Sequence, residues 1–298
     1  ILLRVCVSAP NLIVSTHVNF GPIAYVLKKI FKIPYILIAH GIDVQPCLSK
    51  SRKKALLGAD RVLCVSRWTK SLVISLGVTR QRVGVILNTV DKSRFMVKNF
   101  CGSELKKRLG IEEHSKVMLT VARLSASEGY KGYDRLLECL PVLRREVGDV
   151  VYVVVGKGDD RERLEDMAAD MELSDSVRFA GFVDDDQLPN FYRMADVFAM
   201  PSTGEGYGIV FLEAMACGTP VLAGNQDGSV DALDSGRLGV LVDPTDIGSI
   251  TAGLLKQIRK EGPGWWYKPE SLRNAVLQHA GRKTFARIVN EEIAKVIK

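Results

Sequence analysis

Short runs of almost wholly apolar residues recur along this chain, each followed by a segment of helical length. Asn11–Ser15, Tyr35–Ala39, Arg61–Val65 and Val83–Leu87 form a first series, with helices expected around Pro22–Phe31, Ser49–Gly58 and Arg67–Leu76 between them. A second series runs through Val117–Val121, Val150–Val155, Val177–Phe179, Val197–Met200, Val221–Ala223 and Val240–Val242. Its intervening helices are expected at Tyr133–Val147, Arg161–Met171, Gln187–Met194 and Tyr207–Cys217. Strands that are apolar at every position are covered on both faces, which is the habit of parallel sheets flanked by helices. The pattern therefore predicts an α/β chain, and 298 residues are enough for two such domains.

Charge divides the chain in the same place. Residues 1–100 carry 16 Lys and Arg against Asp43, Asp60 and Asp91, a net of +13, whereas the remainder carries 25 basic and 31 acidic residues. The polar, unpatterned stretch Lys92–Glu104 lies where the sign changes, so domains are expected over 1–98 and 99–281. The longest apolar runs are strand-length, well short of the ~20 residues of a membrane span. Six scattered cysteines with no C-x-x-C spacing suggest buried free thiols in a reducing compartment, hence a cytoplasmic location. The chain opens at Ile1 without Met, and an upstream segment is expected.

The most informative stretch runs from Pro201 to Pro220. Its Gly204–Gly208 loop leads into a helix stopped at Gly218. Unpaired N–H groups at a helix start suit a phosphate. Glu205 stands at that mouth and Glu213 two turns on, a span of roughly 12 Å if the segment is fully helical. That exceeds the roughly 5–9.5 Å of a glycosidase pair. It fits one carboxylate at each end of an extended ligand such as a nucleotide sugar, and it equally fits a capped helix with solvent-facing glutamates. Val155-Gly156-Lys157-Gly158 lacks the third glycine of a dinucleotide fingerprint, because Arg161 stands there, so hydride transfer is disfavoured.

Glu205-x7-Glu213, set in P-S-x-x-E-G-Y-G-x-x-x-L-E-A-M-A-C-G-T-P, resembles the signature of retaining glycosyltransferase family 4. The resemblance runs over nearly the whole chain. It implies a GT-B fold, two Rossmann-like domains facing across a cleft, with the first domain incomplete at its start. It implies that Glu205 lies by the transferred hexose and that Glu213 binds the nucleotide ribose. Gly206, Tyr207, Gly208 and Ile209 would line the donor site between them. Thr120-Val-Ala-Arg123 to Lys131-Gly132 is similar to the family's strand–Arg–loop–Lys-Gly segment, with a longer loop than in many members. Arg123 and Lys131 would then hold the leaving diphosphate, where fixed cations stabilise developing charge. Gly156 resembles the strand end lining the nucleotide cleft. Phe179–Asp186 resembles a base-binding turn, with Val183 and Asp185 toward the base, although the acidic triplet also reads as an N-cap run before Gln187.

His40 follows Tyr35–Ala39 at its carboxyl end, where open α/β sheets bind ligands. It reads as a donor-sugar contact by resemblance and as a structural histidine otherwise. Leu87–Asp91 with Phe95 resembles the family's hinge, and residues 282–298 are expected to return to the first domain as a helix. Asp227–Asp231 stands where many members carry G-G-x-x-E and is expected to help place the donor.

The resemblance implies transfer of a hexose from a GDP- or UDP-sugar to a lipid-linked or saccharide acceptor, with no cofactor and no metal. A front-face retaining mechanism is expected, because no positioned nucleophile is visible. The rival is a non-catalytic GT-B binding protein with a vestigial donor site. An epimerase on the same fold finds no support in the Glu-x7-Glu segment. The clusters Lys28/Lys29/Lys32 and Lys50/Arg52/Lys53/Lys54 suit an anionic membrane surface and equally a solvated face. Few aromatics interleave with them, which argues against nucleic acid.

Overall fold

The computed structural model describes residues 10–44, 48–98 and 101–297, and these divide into two units. One comprises the chain up to Asn88 together with the segment from Arg282 on, and the other spans Thr89–Gly281. Cys6, Cys47 and the stretch before residue 10, where no family-like first strand was found, lie outside the described residues.

In the first unit β1 (Ile13–Ser15), β2 (Tyr35–Ala39), β3 (Arg61–Cys64) and β4 (Val83–Val85) form a parallel sheet in the order β1-β2-β3-β4. Its helices begin where short polar side chains meet otherwise unpaired amides. Ser49 Oγ accepts from Arg52 N–H before helix Lys50–Gly58, and Ser66 Oγ accepts from Thr69 N–H before helix Arg67–Ser75. The other sheet face is covered by helix Arg282–Ala294, distant in sequence. Its Phe285, Ile288, Val289 and Ile293 recur at helical spacing and pack on Ile36, Leu63 and Ile86. Arg61 anchors the same helix, its Nε donating to Glu292 Oε2 at 2.5 Å, and Lys295 Nζ meets the second oxygen at 2.6 Å.

The second unit carries β5 (Lys116–Val121), β6 (Val150–Val155), β7 (Val177–Gly181), β8 (Val197–Met200), β9 (Val221–Gly224) and β10 (Val240–Val242), all parallel. Every side chain of β6, five valines and Tyr152, is buried, as suits a strand inside the sheet. Each such valine contributes about 1.5–3 kcal/mol by leaving water. The strand order is β10-β9-β8-β5-β6-β7. Successive connections lead one way from β5 and the opposite way from β8, its neighbour in the sheet. That is the topological switch point, where open α/β sheets leave a crevice.

Three details differ from the sequence expectation. The division falls between Asn88 and Thr89, not between 98 and 99. Val90 and Phe95 are buried, and Arg273 donates to the carbonyls of Lys92 and Phe95, which fastens residues 89–96 to the second unit. The helix expected over Tyr207–Cys217 is Ile209–Ala216, because Gly208 sits in the left-handed region at φ 84° and ends the preceding loop. The nine residues from Glu205 to Glu213 are therefore not one continuous helix, and a fully helical 12 Å span does not apply. Among the thiols, Cys64, Cys139 and Cys217 are buried and free, whereas free Cys101 is exposed.

Candidate active site

The switch point is flanked by the loop after β5, which carries Arg123 and Lys131, and the loop after β8, which carries Glu205. The two touch directly. Thr203 N–H donates to the Tyr130 carbonyl at 2.9 Å, Gly204 lies against the Tyr130 ring, and Gly132 abuts the Pro201 carbonyl. The Arg–Lys loop folds into 3-10 turns over Ala126–Lys131, and Gly132, next to Lys131, packs on Pro201 just after β8.

Glu128, at the centre of those turns, is 3% exposed and lies between the two cations. Arg123 donates to its Oε1, and Lys131 Nζ lies 2.6 Å from its Oε2. Burial pushes this carboxyl up, but the hydrogen bonds from Arg123 and Lys131 outweigh burial and leave it below the ordinary value. The Arg123 side chain is 67% exposed, so its guanidinium is available to a ligand while one edge rests on Glu128. Nothing in the sequence distinguished Glu128 from a surface acid, since its burial depends on how the loop folds.

Glu205 is held above the ordinary carboxylate range, chiefly by burial. Lys131 draws it back down, and Asp227 and Glu128 push it up. Glu213 projects from helix Ile209–Ala216 and accepts from Tyr192 Oη at 2.8 Å through Oε2. Burial raises its pKa as well. Of the residues between them, Gly206 passes its carbonyl close to Gly228, and the Tyr207 ring is buried with its hydroxyl unpartnered. Gly208 precedes the helix, and Ile209, its first residue, is 43% exposed.

Gly156 ends β6, and a Cβ there would lie 1.8 Å from the Ala122 carbonyl, so this glycine lets the Arg123 segment pass. Val183 is half-buried beside exposed Phe182, over whose ring Lys157 Nζ lies at 4.9 Å. Asp185 forms an ion pair with Arg94 at 3.0 Å. The acidic triplet does not cap the next helix, whose N-cap residue is Gln187 with no side-chain bond. His40 belongs to the first unit, where its Nε2 lies 2.8 Å from the Thr16 carbonyl and its ring stacks on His17 at 5.8 Å. Among the described residues no group of three or more His, Cys, Asp or Glu is placed to hold a metal ion.

This arrangement can receive a diphosphate on Arg123 and Lys131, with one half-buried carboxylate toward each end. Residues 103–276, more than half the chain, match the family model of glycosyl transferases group 1. The chain belongs to that family. Residues 4–94 match the model of Glycosyltransferase Family 4. A GDP-mannose-dependent alpha-(1-6)-phosphatidylinositol monomannoside mannosyltransferase from Mycolicibacterium smegmatis is 36% identical over 203 residues, 66% of this chain and 52% of the relative. A D-inositol 3-phosphate glycosyltransferase from Thermomonospora curvata is 30% identical over 254 residues, 80% of this chain and 58% of the relative. The chain thus spans about half the length of such curated relatives. Among solved structures, Anabaena HepE in complex with UDP superposes with a TM-score of 0.84 at 21% identity, covering 99% of this chain and 82% of that one. Sucrose-phosphate synthase from Thermosynechococcus elongatus gives 0.80 at 22%, covering 99% and 75%. This group 1 family chain has the GT-B fold of those neighbours.

Proposed function

We propose that this chain transfers a hexose, with retention of configuration, from a nucleoside-diphosphate sugar to a lipid-linked or saccharide acceptor. The observation that carries the reading is the meeting of Arg123, Lys131 and Glu205 at the switch point of β5 and β8. The diphosphate would lie on Arg123 and Lys131, the hexose by Glu205 and the ribose by Glu213, with Val183 and Asp185 toward the base. As the glycosidic bond breaks, the leaving phosphate gains charge, which the two cations stabilise without rearranging, because Glu128 already holds them in place. No carboxylate is offered as nucleophile, and a front-face route in which the leaving phosphate receives the acceptor's proton fits the groups present. No metal enters this scheme.

The mannosyltransferase relatives favour a GDP-sugar and a lipid acceptor, while the UDP complex of HepE keeps a UDP-sugar open to test. A lipid acceptor accords with the first unit's surface. Helices Gly21–Phe31 and Lys50–Gly58 bring Lys28, Lys29, Lys50, Lys53 and Lys54 around Tyr25, in a concavity of about 530 Å³. Lys29 and Lys54 each lie 5.5 Å from the Tyr25 ring centroid. Phosphates of an anionic leaflet would meet this face, with each Lys near the surface contributing about 1 kcal/mol. No helix among the described residues is long and apolar enough to cross a membrane, and the contact proposed is a peripheral one. A thermal-shift panel of UDP- and GDP-sugars tests the donor assignment. Stabilisation by one nucleotide series is expected, and stabilisation by none would remove it.

A further inference from the structure

Asp227, in the segment expected to help place the donor, lies in the loop after β9 and is 3% exposed. Its carboxylate is spent entirely inside the protein. Oδ2 accepts from Ser202 Oγ at 2.6 Å and from the backbone N–H of Glu205 at 2.7 Å, and Oδ1 accepts from Ser229 N–H at 2.9 Å. The next residue completes the contact, because Gly228 N–H donates to the Glu205 carbonyl at 2.9 Å. Both backbone polar groups of Glu205 are thus bonded to one dipeptide. The fit leaves no slack. A Cβ at Gly228 would lie 2.1 Å from the Gly206 carbonyl oxygen and 2.8 Å from that of Glu205. Gly224, at the end of β9, is approached in the same way by the Ser202 carbonyl, so the loops after β8 and β9 meet at two points.

We propose that Asp227 and Gly228 are positioning residues that seat Glu205, fixing its backbone so that its carboxylate is presented to the sugar end of the donor. The proposal rests on the assignment of Glu205 made above. A loop carrying three glycines in five residues, Gly204, Gly206 and Gly208, has little rotational restraint of its own. An uncontrolled Glu205 would be a poor partner for a reacting sugar, since a misplacement of about 1 Å costs about 10²-fold in rate. The buried carboxylate supplies the restraint from one side and the Gly228 amide from the other. Arg123 and Lys131 are held by Glu128, and Glu213 by Tyr192, so the diphosphate and ribose ends have restraints of their own apart from this clasp.

The test compares Asp227→Ala, Asp227→Asn, Gly228→Ala and Glu205→Gln with the unaltered protein. Calorimetry with UDP and GDP measures nucleotide affinity, and hydrolysis of UDP-glucose and GDP-mannose measures turnover. Asp227→Ala and Gly228→Ala should lower turnover by about 10²-fold. Their nucleoside-diphosphate affinity should stay within about threefold of the unaltered protein, a shift of well under 1.4 kcal/mol. Asp227→Asn, which keeps one acceptor, should recover part of the loss. Unchanged turnover in both alanine variants would overturn the proposal, as would nucleotide affinity falling in step with turnover, the mark of a merely structural role. If Gly228→Ala does not fold, the two Asp227 variants decide the matter alone. A Glu205→Gln variant with full turnover would instead sink the assignment of Glu205 itself.

Discussion

Replacing Arg123 by alanine separates ligand binding from folding, and the structure says by how much. The guanidinium is 67% exposed, so its loss removes little packing. Its partner Glu128 keeps Lys131 at 2.6 Å and is not left as a lone buried charge. The stability cost should therefore resemble that of an exposed ion pair, about 0–1 kcal/mol. Against a diphosphate the same group would make a charge-assisted hydrogen bond, whose loss costs about 1.5–3 kcal/mol. That corresponds to about a 10- to 150-fold weaker Kd. Lys131→Ala should behave differently. Its side chain is only 12% exposed, and Glu128 would then depend on the solvent-facing Arg123 alone, so stability and binding should fall together. Urea denaturation and calorimetry with UDP and GDP measure the two quantities on the same preparations. Unchanged nucleotide affinity in Arg123→Ala would remove this residue from the site. Large destabilisation in that variant would refute the account of Glu128.

The two glutamates should separate as well: Glu213→Gln should mainly weaken nucleotide binding and Glu205→Gln mainly lower turnover, and equal effects on UDP or GDP affinity would contradict the division. Replacing Lys50, Arg52, Lys53 and Lys54 by Gln should reduce salt-sensitive co-sedimentation with acidic vesicles and leave nucleotide affinity intact, whereas equal binding to neutral vesicles would reject a charge-driven contact. Arg61→Ala should destabilise the first unit toward the lower end of about 3–5 kcal/mol, because Lys295 still partners Glu292. Burial raises the Glu292 carboxyl, but its bonds to Arg61 and Lys295 win and depress its pKa, so its stabilising contribution is present above the ordinary carboxylate value and lost as pH falls through the depressed one. Hydrogen exchange over residues 282–294 should accelerate in that acid range, and acid-insensitive exchange would count against it.

Much of this was legible because period and composition act locally. The parallel strands announced themselves as unbroken apolar runs, and the Glu205–Pro220 segment carried its family likeness in consecutive residues. What escaped were features made by distant parts of the chain meeting. Glu128 reads as one more acid in a polar loop until 3-10 turns fold it beneath Arg123 and Lys131. The two lysine clusters are separate in sequence and join only because helices Gly21–Phe31 and Lys50–Gly58 pack together. The start of helix Ile209–Ala216 was set too early because Tyr207 and Gly208 continue the apolar pattern. Periodicity cannot see that Gly208 adopts φ 84°.

The buried acids of the second unit suggest why its site carries more carboxylates than a nucleotide sugar needs. Loops at a switch point are short of internal hydrogen bonds, and the side chains that must reach a ligand cannot also anchor themselves. Here a side chain that does not reach the ligand stands behind each reaching element. Glu128 fixes the spacing of two cations, Asp227 fixes the backbone that presents Glu205, and Tyr192 orients Glu213 from behind. Burying such acids is costly unless every lone pair is used. Glu128 answers the cost with two cations and remains ionised, whereas Asp227 has only neutral donors and is pushed upward by burial. The sign follows from linkage: a carboxyl whose folded pKa is raised stabilises the fold below its unfolded value and loses that contribution as pH rises through the folded one. The Asp227 clasp is therefore stabilised on the acid side and the Glu128 clamp on the alkaline side. Near neutrality the cations stay fully paired, while the seat of Glu205 depends on hydrogen bonds from Ser202, Ser229 and its own backbone.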